Sequence, residues 1–138
     1  MCGIFGLVVH KDAGYDHAFI RKSLKMLARL SESRGKDSSG LVFRNGSTRE
    51  FHVFKGAVYL NALLKHKGVA NQMAQMLDST SNNGTRRRPT FAAMGHSRLV
   101  TDGTQLDDVN NQPVIKDGVI GIHNGIIVNE NELWHRHP

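Results

Sequence analysis

The chain has 138 residues, of which 39% are apolar and 22% charged, and it carries a net charge of +6. This length and composition are typical of one soluble globular domain with a core of its own. A single cysteine excludes an internal disulfide, and no segment has the features of a signal sequence or a membrane span. We therefore expect a cytoplasmic protein without a membrane partner.

The basic balance of the chain raises the question of a nucleic-acid partner. Its basic residues are scattered, apart from three arginines at residues 86–88 in a polar stretch, and no aromatic side chain stands beside these three. Nucleic-acid binders usually combine a basic face with stacking aromatics. The triplet therefore predicts a solvated loop tip, with an anion or a partner domain as the alternative contact, and no nucleic acid.

The first part of the chain predicts a buried strand followed by an amphipathic helix. Residues 2–9 are mostly apolar, and their two glycines allow another strand to approach closely. Asp16 is a favoured N-cap residue, and we expect Gly35 to end the helix that begins there. The apolar residues at near-helical spacing, which predict the buried face, are Ile20, Leu24, Leu27 and Leu30.

The rest of the chain predicts strand pairs flanked by helices, without repeats or linkers, and hence an α+β domain. Asn-Gly and Asp-Gly pairs mark the turns of two hairpins. The predicted strands cover residues 40–44, 49–55, 90–96, 113–115 and 119–123, and the predicted helices cover residues 59–64 and 69–77. Polar residues predict loops at 79–90 and 101–111. A last helix begins at Asn129 and is cut short at Pro138, so we expect a piece of a longer protein.

Cys2 is the most informative residue, because removal of Met1 would make it the N-terminus. Methionine is normally trimmed before a small residue, and trimming here would place a thiol and a free α-amino group on one residue. A free thiol has a pKa of about 8.5 and an α-amino group a pKa of about 7.7–8.0, so the amine can accept the thiol proton. Such a pair is a known way to activate a nucleophile. A small apolar residue that starts a strand is the alternative.

Two polar, glycine-bearing clusters lie at predicted strand ends, where sites are commonly built. The cluster at residues 33–40, which contains Arg34, could equally be a helix stop followed by a turn. In the cluster at residues 95–103, Arg98 can bind a carboxylate bidentately, which suits an amino-acid substrate, or can be an ordinary surface residue. Asp102 can take the ammonium group of such a substrate or cap a turn.

A third cluster, at residues 123–127, follows the last predicted strand. The side-chain amide of Asn124 and the backbone N–H of Gly125 can both point at one developing negative charge, as an oxyanion hole requires. An Asn-Gly pair is also the strongest short turn signal, so a plain hairpin is the alternative. His135 and His137 are too close together and too near the end to form a metal site, and no cysteine remains to join them. We expect no metal.

Taken together, these clusters resemble those of the class II glutamine amidotransferases, whose glutaminase domain is an N-terminal-nucleophile hydrolase. The segments that carry the resemblance, in the family's order, are residues 2–6, residues 34–40, residues 95–98 with Thr101 and Gly103, and residues 123–125. Residues 111–113 also resemble a short family signature that precedes a strand. The resemblance spans nearly the whole chain, and residues 125–127 are most similar to the glucosamine-6-phosphate-forming aminotransferases.

The resemblance implies a fold and a catalytic group. The fold would be a four-layer αββα sandwich, incomplete at its C-terminal end, in one glutaminase domain over residues 1–138 that lacks the synthase domain. Cys2 would attack the side-chain amide of L-glutamine while its own amine moves the proton. Asn124 and Gly125 would hold the tetrahedral oxyanion.

The resemblance also implies a glutamine pocket and a partner. Arg98 would anchor the α-carboxylate of glutamine with Thr101 and Asp102 nearby, and Arg34 and Asp37 would shape the pocket. Glutamate would leave, and ammonia would pass to a synthase domain or subunit that aminates a sugar phosphate. The resemblance implies no cofactor, and it leaves a homo-oligomer open.

The chain departs from the family pattern at Leu99, Val100 and Asp102, and the family's aspartate for the substrate ammonium would lie beyond Pro138. These departures keep an inactive or glutamine-sensing module of the same fold as an alternative. The glutaminase domains of asparagine synthetases and phosphoribosylpyrophosphate amidotransferases are further alternatives, as is a different N-terminal-cysteine amide hydrolase. We expect the 138-residue chain alone to be weakly active or inactive, because its pocket would be incomplete.

Overall fold

The computed structural model describes residues 2–10, 13–46, 48–78, 90–100, 106 and 110–137. Its elements in chain order are β1 (Gly3–Val9), α1 (His17–Glu32), β2 (Ser38–Asn45), β3 (Phe51–Gly56), α2 (Leu60–Lys65), α3 (Lys67–Asp78), β4 (Phe91–Arg98), β5 (Val114–Lys116), β6 (Val119–Gly121) and α4 (Glu130–Arg136). The predicted α+β class is confirmed. Thr101, Asp102 and the arginines at residues 86–88 lie outside the described residues, as does most of each predicted polar loop.

Four strands form an antiparallel sheet in the order β1–β4–β2–β3. The register places Gly3 of β1 opposite Ser97 of β4, and Ser38 of β2 opposite Arg98 of β4. The start of β1, the start of β2 and the end of β4 therefore meet at one edge of the sheet. Cys2 precedes Gly3, so this edge is where the thiol lies.

The helices α1, α2 and α3 pack on one face of this sheet. Strand side chains alternate between the two faces, so Leu41 and Phe43 of β2 point into the same layer. There they are completely buried, as are Leu24 of α1 and Leu60 of α2. Each such side chain stabilises the fold by about 1.5–3 kcal/mol, so this layer holds the sheet edge in place.

α1 begins where the sequence predicts it, because the Asp16 carboxylate accepts a hydrogen bond from the Phe19 N–H at 2.6 Å. The predicted end at Gly35 and the predicted burial of Leu30 are wrong. The helix ends at Glu32, Leu30 is 64% exposed, and the buried face passes through Ile20, Leu24, Ala28 and Ser31. The last turn packs closely on β1: a Cβ on Gly3 would lie 2.3 Å from the Ser31 carbonyl oxygen. Only glycine fits at position 3 without a shift of the backbone.

The opposite face of the sheet is partly covered. Ile4 and Val8 of β1 are 46% and 72% exposed on that face, and β5 and β6 form a separate antiparallel hairpin. The described residues thus comprise one helical layer, the sheet, this hairpin and α4, and the four-layer sandwich stays a prediction. Within the described part of the chain, no helix is long and apolar enough to cross a membrane.

Candidate functional site

Cys2 is half-buried at the sheet edge, where Asn124 binds its backbone on both sides. The Cys2 N–H donates to Asn124 Oδ1 at 3.1 Å, and Asn124 Nδ2 donates to the Cys2 carbonyl oxygen at 2.9 Å. The thiol itself lies 3.9 Å from the carbonyl oxygen of Leu99. The only cysteine of the chain is therefore held against a side-chain amide that lies 122 positions away in sequence.

Arg34 is a second side chain that binds Cys2. Its Nε donates to the Cys2 carbonyl oxygen at 3.2 Å. Arg34 reaches this oxygen from the turn after α1, which lies directly on the end of β4: a Cβ on Gly35 would be 2.4 Å from the Leu99 nitrogen. The cluster at residues 33–40 is therefore more than a helix stop, because it contacts the residue with the thiol.

Asp37 fixes the backbone that passes the thiol. Its N–H donates to the Arg98 carbonyl oxygen at 3.0 Å, and its Oδ2 accepts from the Val100 N–H at 2.7 Å. These two bonds bracket Leu99, whose carbonyl oxygen lies 3.9 Å from the thiol. The side chain that was expected to shape the pocket thus holds the end of β4 in place.

Arg98 is the last residue of β4, which runs past the strand end predicted at residue 96. Its Nη1 donates to the Asn110 carbonyl oxygen at 2.8 Å and to Asn111 Oδ1 at 3.1 Å. Asn111 Oδ1 also accepts from the Ser38 hydroxyl at 2.7 Å, and Asn111 and Ser38 are each 1% exposed. The guanidinium is therefore held at the sheet edge by a buried polar group.

His96 lies on the same face of β4 as Arg98, one alternation further into the sheet. It is 1% exposed, and within the described residues neither ring nitrogen has a hydrogen-bond partner. Burial, and to a smaller extent the positive charge of Arg98, lower the pKa of His96 from 6.5 to about 4. The imidazole beside the site is therefore neutral at pH 7.

Gln112 connects the Asn-Gly turn to the sheet. Its Oε1 accepts from the His123 N–H at 2.5 Å, and its carbonyl oxygen lies against β2, where a Cβ on Gly40 would be 1.9 Å away. β6 ends at Gly121, so Asn124 stands in the turn that Gln112 holds. The segment before β5 therefore sets the position of the amide that binds Cys2.

The structure brings together Cys2, Arg34 and Asn124, with Arg98 at the same sheet edge, and it places Gly125 in the turn directly after Asn124. Thr101 and Asp102 lie outside the described residues. The sequence analysis assigned no role to the three buried polar residues Ser38, His96 and Asn111, although all three lie in segments that carry the resemblance. Among the described residues, no group of three or more His, Cys, Asp or Glu side chains is placed to hold a metal.

Curated proteins similar to this chain carry the name glutamine–fructose-6-phosphate aminotransferase (isomerizing). The identity is 35% over 136 residues for Thermococcus kodakarensis, 30% over 133 for Rhizobium leguminosarum bv. viciae and 29% over 133 for Escherichia coli K12. The chain is similar to one part of these aminotransferases over nearly its whole length. The resemblance predicted from the sequence segments is thereby confirmed.

Each of these alignments covers 96% of the chain but 18% of the aminotransferase, so the chain spans less than a fifth of the length of these relatives. No family model matches the chain. No solved structure gives a significant match.

Proposed function

We propose that the chain is the glutaminase domain of a glutamine-dependent aminotransferase and hydrolyses L-glutamine to glutamate and ammonia. The similarity to glutamine–fructose-6-phosphate aminotransferases over 96% of the chain supports the substrate and the reaction. The contact between Cys2 and Asn124 is the observation that carries the proposal. It joins the backbone of the residue that carries the only thiol of the chain to an amide that can bind an oxyanion.

Cys2 is proposed as the nucleophile once Met1 is removed. Its nitrogen then becomes a primary amine, and Asn124 Oδ1 can accept one of its hydrogens while the nitrogen lone pair takes the thiol proton. The sulfur attacks the side-chain amide carbon of glutamine, and the ammonium returns the proton to the leaving nitrogen as the C–N bond breaks. Water then hydrolyses the thioester, which releases glutamate and restores the thiol.

Asn124 and Gly125 are proposed as the oxyanion hole. The amide of Asn124 has two N–H donors, and one of them binds the Cys2 carbonyl oxygen at 2.9 Å. The other can turn towards the negative charge that develops beside the thiol, with the N–H of Gly125 as a second donor. Each donor of this kind typically contributes about 10²–10³-fold to the rate.

Arg98 is proposed to bind the α-carboxylate of glutamine, with Thr101 and Asp102 as further pocket residues. Arg34 contributes indirectly, because its bond to the Cys2 carbonyl oxygen fixes the residue that carries the thiol. The ammonia is proposed to pass to a synthase domain that aminates a sugar phosphate, as the name of the relatives suggests. The αββα sandwich of the N-terminal-nucleophile hydrolases is the fold that we propose for the complete domain.

Glutamate release from L-glutamine by the full-length protein tests this function. The wild-type N-terminus is first established by intact-mass spectrometry, and Cys2→Ala and a form that retains Met1 serve as comparisons. We expect the Cys2→Ala rate to fall at least about 10³-fold, because the nucleophile is lost. A form with Met1 in place should be equally inactive, since its nitrogen is an amide. A correctly trimmed wild type no faster than Cys2→Ala would overturn the proposal.

A further inference from the structure

Asn111 is a buried polar residue between two side chains of the sheet edge. Its Oδ1 accepts from Arg98 Nη1 at 3.1 Å and from the Ser38 hydroxyl at 2.7 Å. A guanidinium has only donors, so the oxygen and not the amino group of Asn111 must face Arg98. The Ser38 bond fixes the same oxygen from the neighbouring strand, where Ser38 stands directly opposite Arg98. The amide is thus locked in one orientation.

These bonds hold the guanidinium of Arg98 through one of its two terminal nitrogens. Nη1 donates to Asn111 Oδ1 and also to the Asn110 carbonyl oxygen at 2.8 Å, so two consecutive residues accept hydrogen bonds from the same nitrogen. A long, flexible side chain that is held in this way loses the freedom to swing along the surface. Holding it in advance reduces the entropy that a substrate would otherwise cost on binding.

The absence of charge on the Asn111 side chain matters for the Arg98 guanidinium as much as the position of Asn111 does. An aspartate at the same place would also accept from Arg98, but it would neutralise the guanidinium with a negative charge. A buried carboxylate would then compete with the carboxylate of a substrate. Asn111 supplies the hydrogen bond without adding a negative charge beside Arg98.

We propose that Asn111, locked by Ser38, is the positioning residue that orients the Arg98 guanidinium for the α-carboxylate of glutamine. This inference rests on the proposed function and adds to it the residue that controls substrate affinity. It assigns to Asn111 no contact with the reacting amide. Its loss should therefore weaken glutamine binding and leave the chemical step largely intact.

Steady-state glutaminase kinetics of the full-length protein test the proposal. The variants are Asn111→Asp, Asn111→Leu and Ser38→Ala. The matched control is Ser39→Ala, because Ser39 is also 1% exposed but donates to the Val58 carbonyl oxygen instead. A second substrate, 4-aminobutyramide, is glutamine without its α-carboxylate. Its rate of hydrolysis separates a loss of carboxylate recognition from general damage to the site.

We expect Asn111→Asp and Asn111→Leu to raise KM for glutamine at least about 10-fold, the usual effect of losing or masking a charged hydrogen bond. Ser38→Ala should raise it about 3-fold, since only the lock is lost. kcat should change little, the rate with the amide that lacks the carboxylate should be unchanged, and Ser39→Ala should behave as wild type. Asn111→Asp exchanges one group for another of nearly the same size. A change in KM for this variant therefore does not come from misfolding.

The outcomes separate this inference from the function on which it rests. A wild type that releases glutamate, with Asn111→Asp and Ser38→Ala at wild-type KM, overturns the role of Asn111 alone. Equal losses on both substrates also overturn it, because Asn111 would then act through general stability. A wild type that releases no glutamate overturns the proposed function and this inference together.

Discussion

The buried His96 makes the free energy of unfolding depend on pH. Its pKa is about 4 in the folded chain, against an ordinary value of 6.5. Between these two values the unfolded chain binds the additional proton, so the free energy of unfolding falls as the pH falls through this window. From pH 7 to pH 4 the loss is about 3 kcal/mol, and it ends below the folded pKa.

Denaturant unfolding at a series of pH values checks this prediction. We expect the wild type to lose about 3 kcal/mol more stability between pH 7 and pH 4 than His96→Leu, which cannot titrate at that position. Equal pH dependence in wild type and His96→Leu would show that His96 is not the group responsible.

In the proposed mechanism Asn124 has two functions, which a single substitution distinguishes. Asn124→Asp keeps an oxygen that can accept from the Cys2 nitrogen but replaces the Nδ2 donor with a second oxygen. We expect kcat for glutamine hydrolysis to fall at least about 10²-fold, because a donor to the oxyanion is lost. KM should change less, since the amide does not bind the α-carboxylate. Asn131→Asp on the exposed α4 is the control, and an equal loss in both would point to charge alone.

Among the elements, β2 depends on Gly40 to receive the segment before β5. A Cβ on Gly40 would lie 1.9 Å from the Gln112 carbonyl oxygen and 2.6 Å from Pro113 Cδ. Gly40→Ala must therefore displace the segment that carries Asn111, and we expect thermal or denaturant unfolding to show a loss of about 1–3 kcal/mol or more. KM for glutamine should rise as well, because the Arg98 contact lies on the same segment.

Gly6→Ala on β1 is the matched control for this change. Gly6 is also a strand glycine, but among the residues that the structure describes its Cβ would meet nothing nearer than the Ala93 carbonyl oxygen at 4.0 Å. We expect Gly6→Ala to keep the wild-type stability and KM within experimental error. Equal destabilisation by both substitutions would mean that the loss comes from the strand backbone and not from the contact with Gln112.

The elements also show what the sequence could and could not predict. Local signals were sufficient for the start of α1, since the Asp16 cap acts within one turn. They failed at its end, where burial of Ser31 instead of Leu30 depends on how closely Gly3 of β1 approaches. Periodicity reports a helix face but not which strand packs against it.

The candidate site was also predicted from the sequence only in part. The residue types Cys2, Arg98 and Asn124 were predicted from their chemistry and from the resemblance. Their mutual contacts were not, because the bonds between Cys2 and Asn124 span 122 positions and depend on the strand order. Asn111 was noticed only as part of a short signature. Its role becomes visible only when the Ser38–Arg98 pairing of β2 and β4 is known.

At the scale of the whole molecule, the site is an assembly of four segments on one sheet edge. They are the start of β1, the turn between α1 and β2, the end of β4 and the stretch from residue 110 to residue 125. None of these segments contains the site alone, so the proposed activity requires the folded sheet with its helical layer. The chain spans 18% of the length of its curated relatives, so for this protein their aminotransferase reaction is a proposal.

Covalent trapping tests most directly whether Cys2 is the nucleophile of this assembly. Full-length protein with an established N-terminus is incubated with 6-diazo-5-oxo-L-norleucine, an electrophilic glutamine analogue. The protein is then digested, and the masses of its peptides are measured by mass spectrometry. We predict a single adduct on Cys2 that forms as glutamate release is lost, that glutamine slows, and that a form with retained Met1 does not acquire. An unmodified Cys2 in a protein that loses its glutamate release to the analogue would contradict this role.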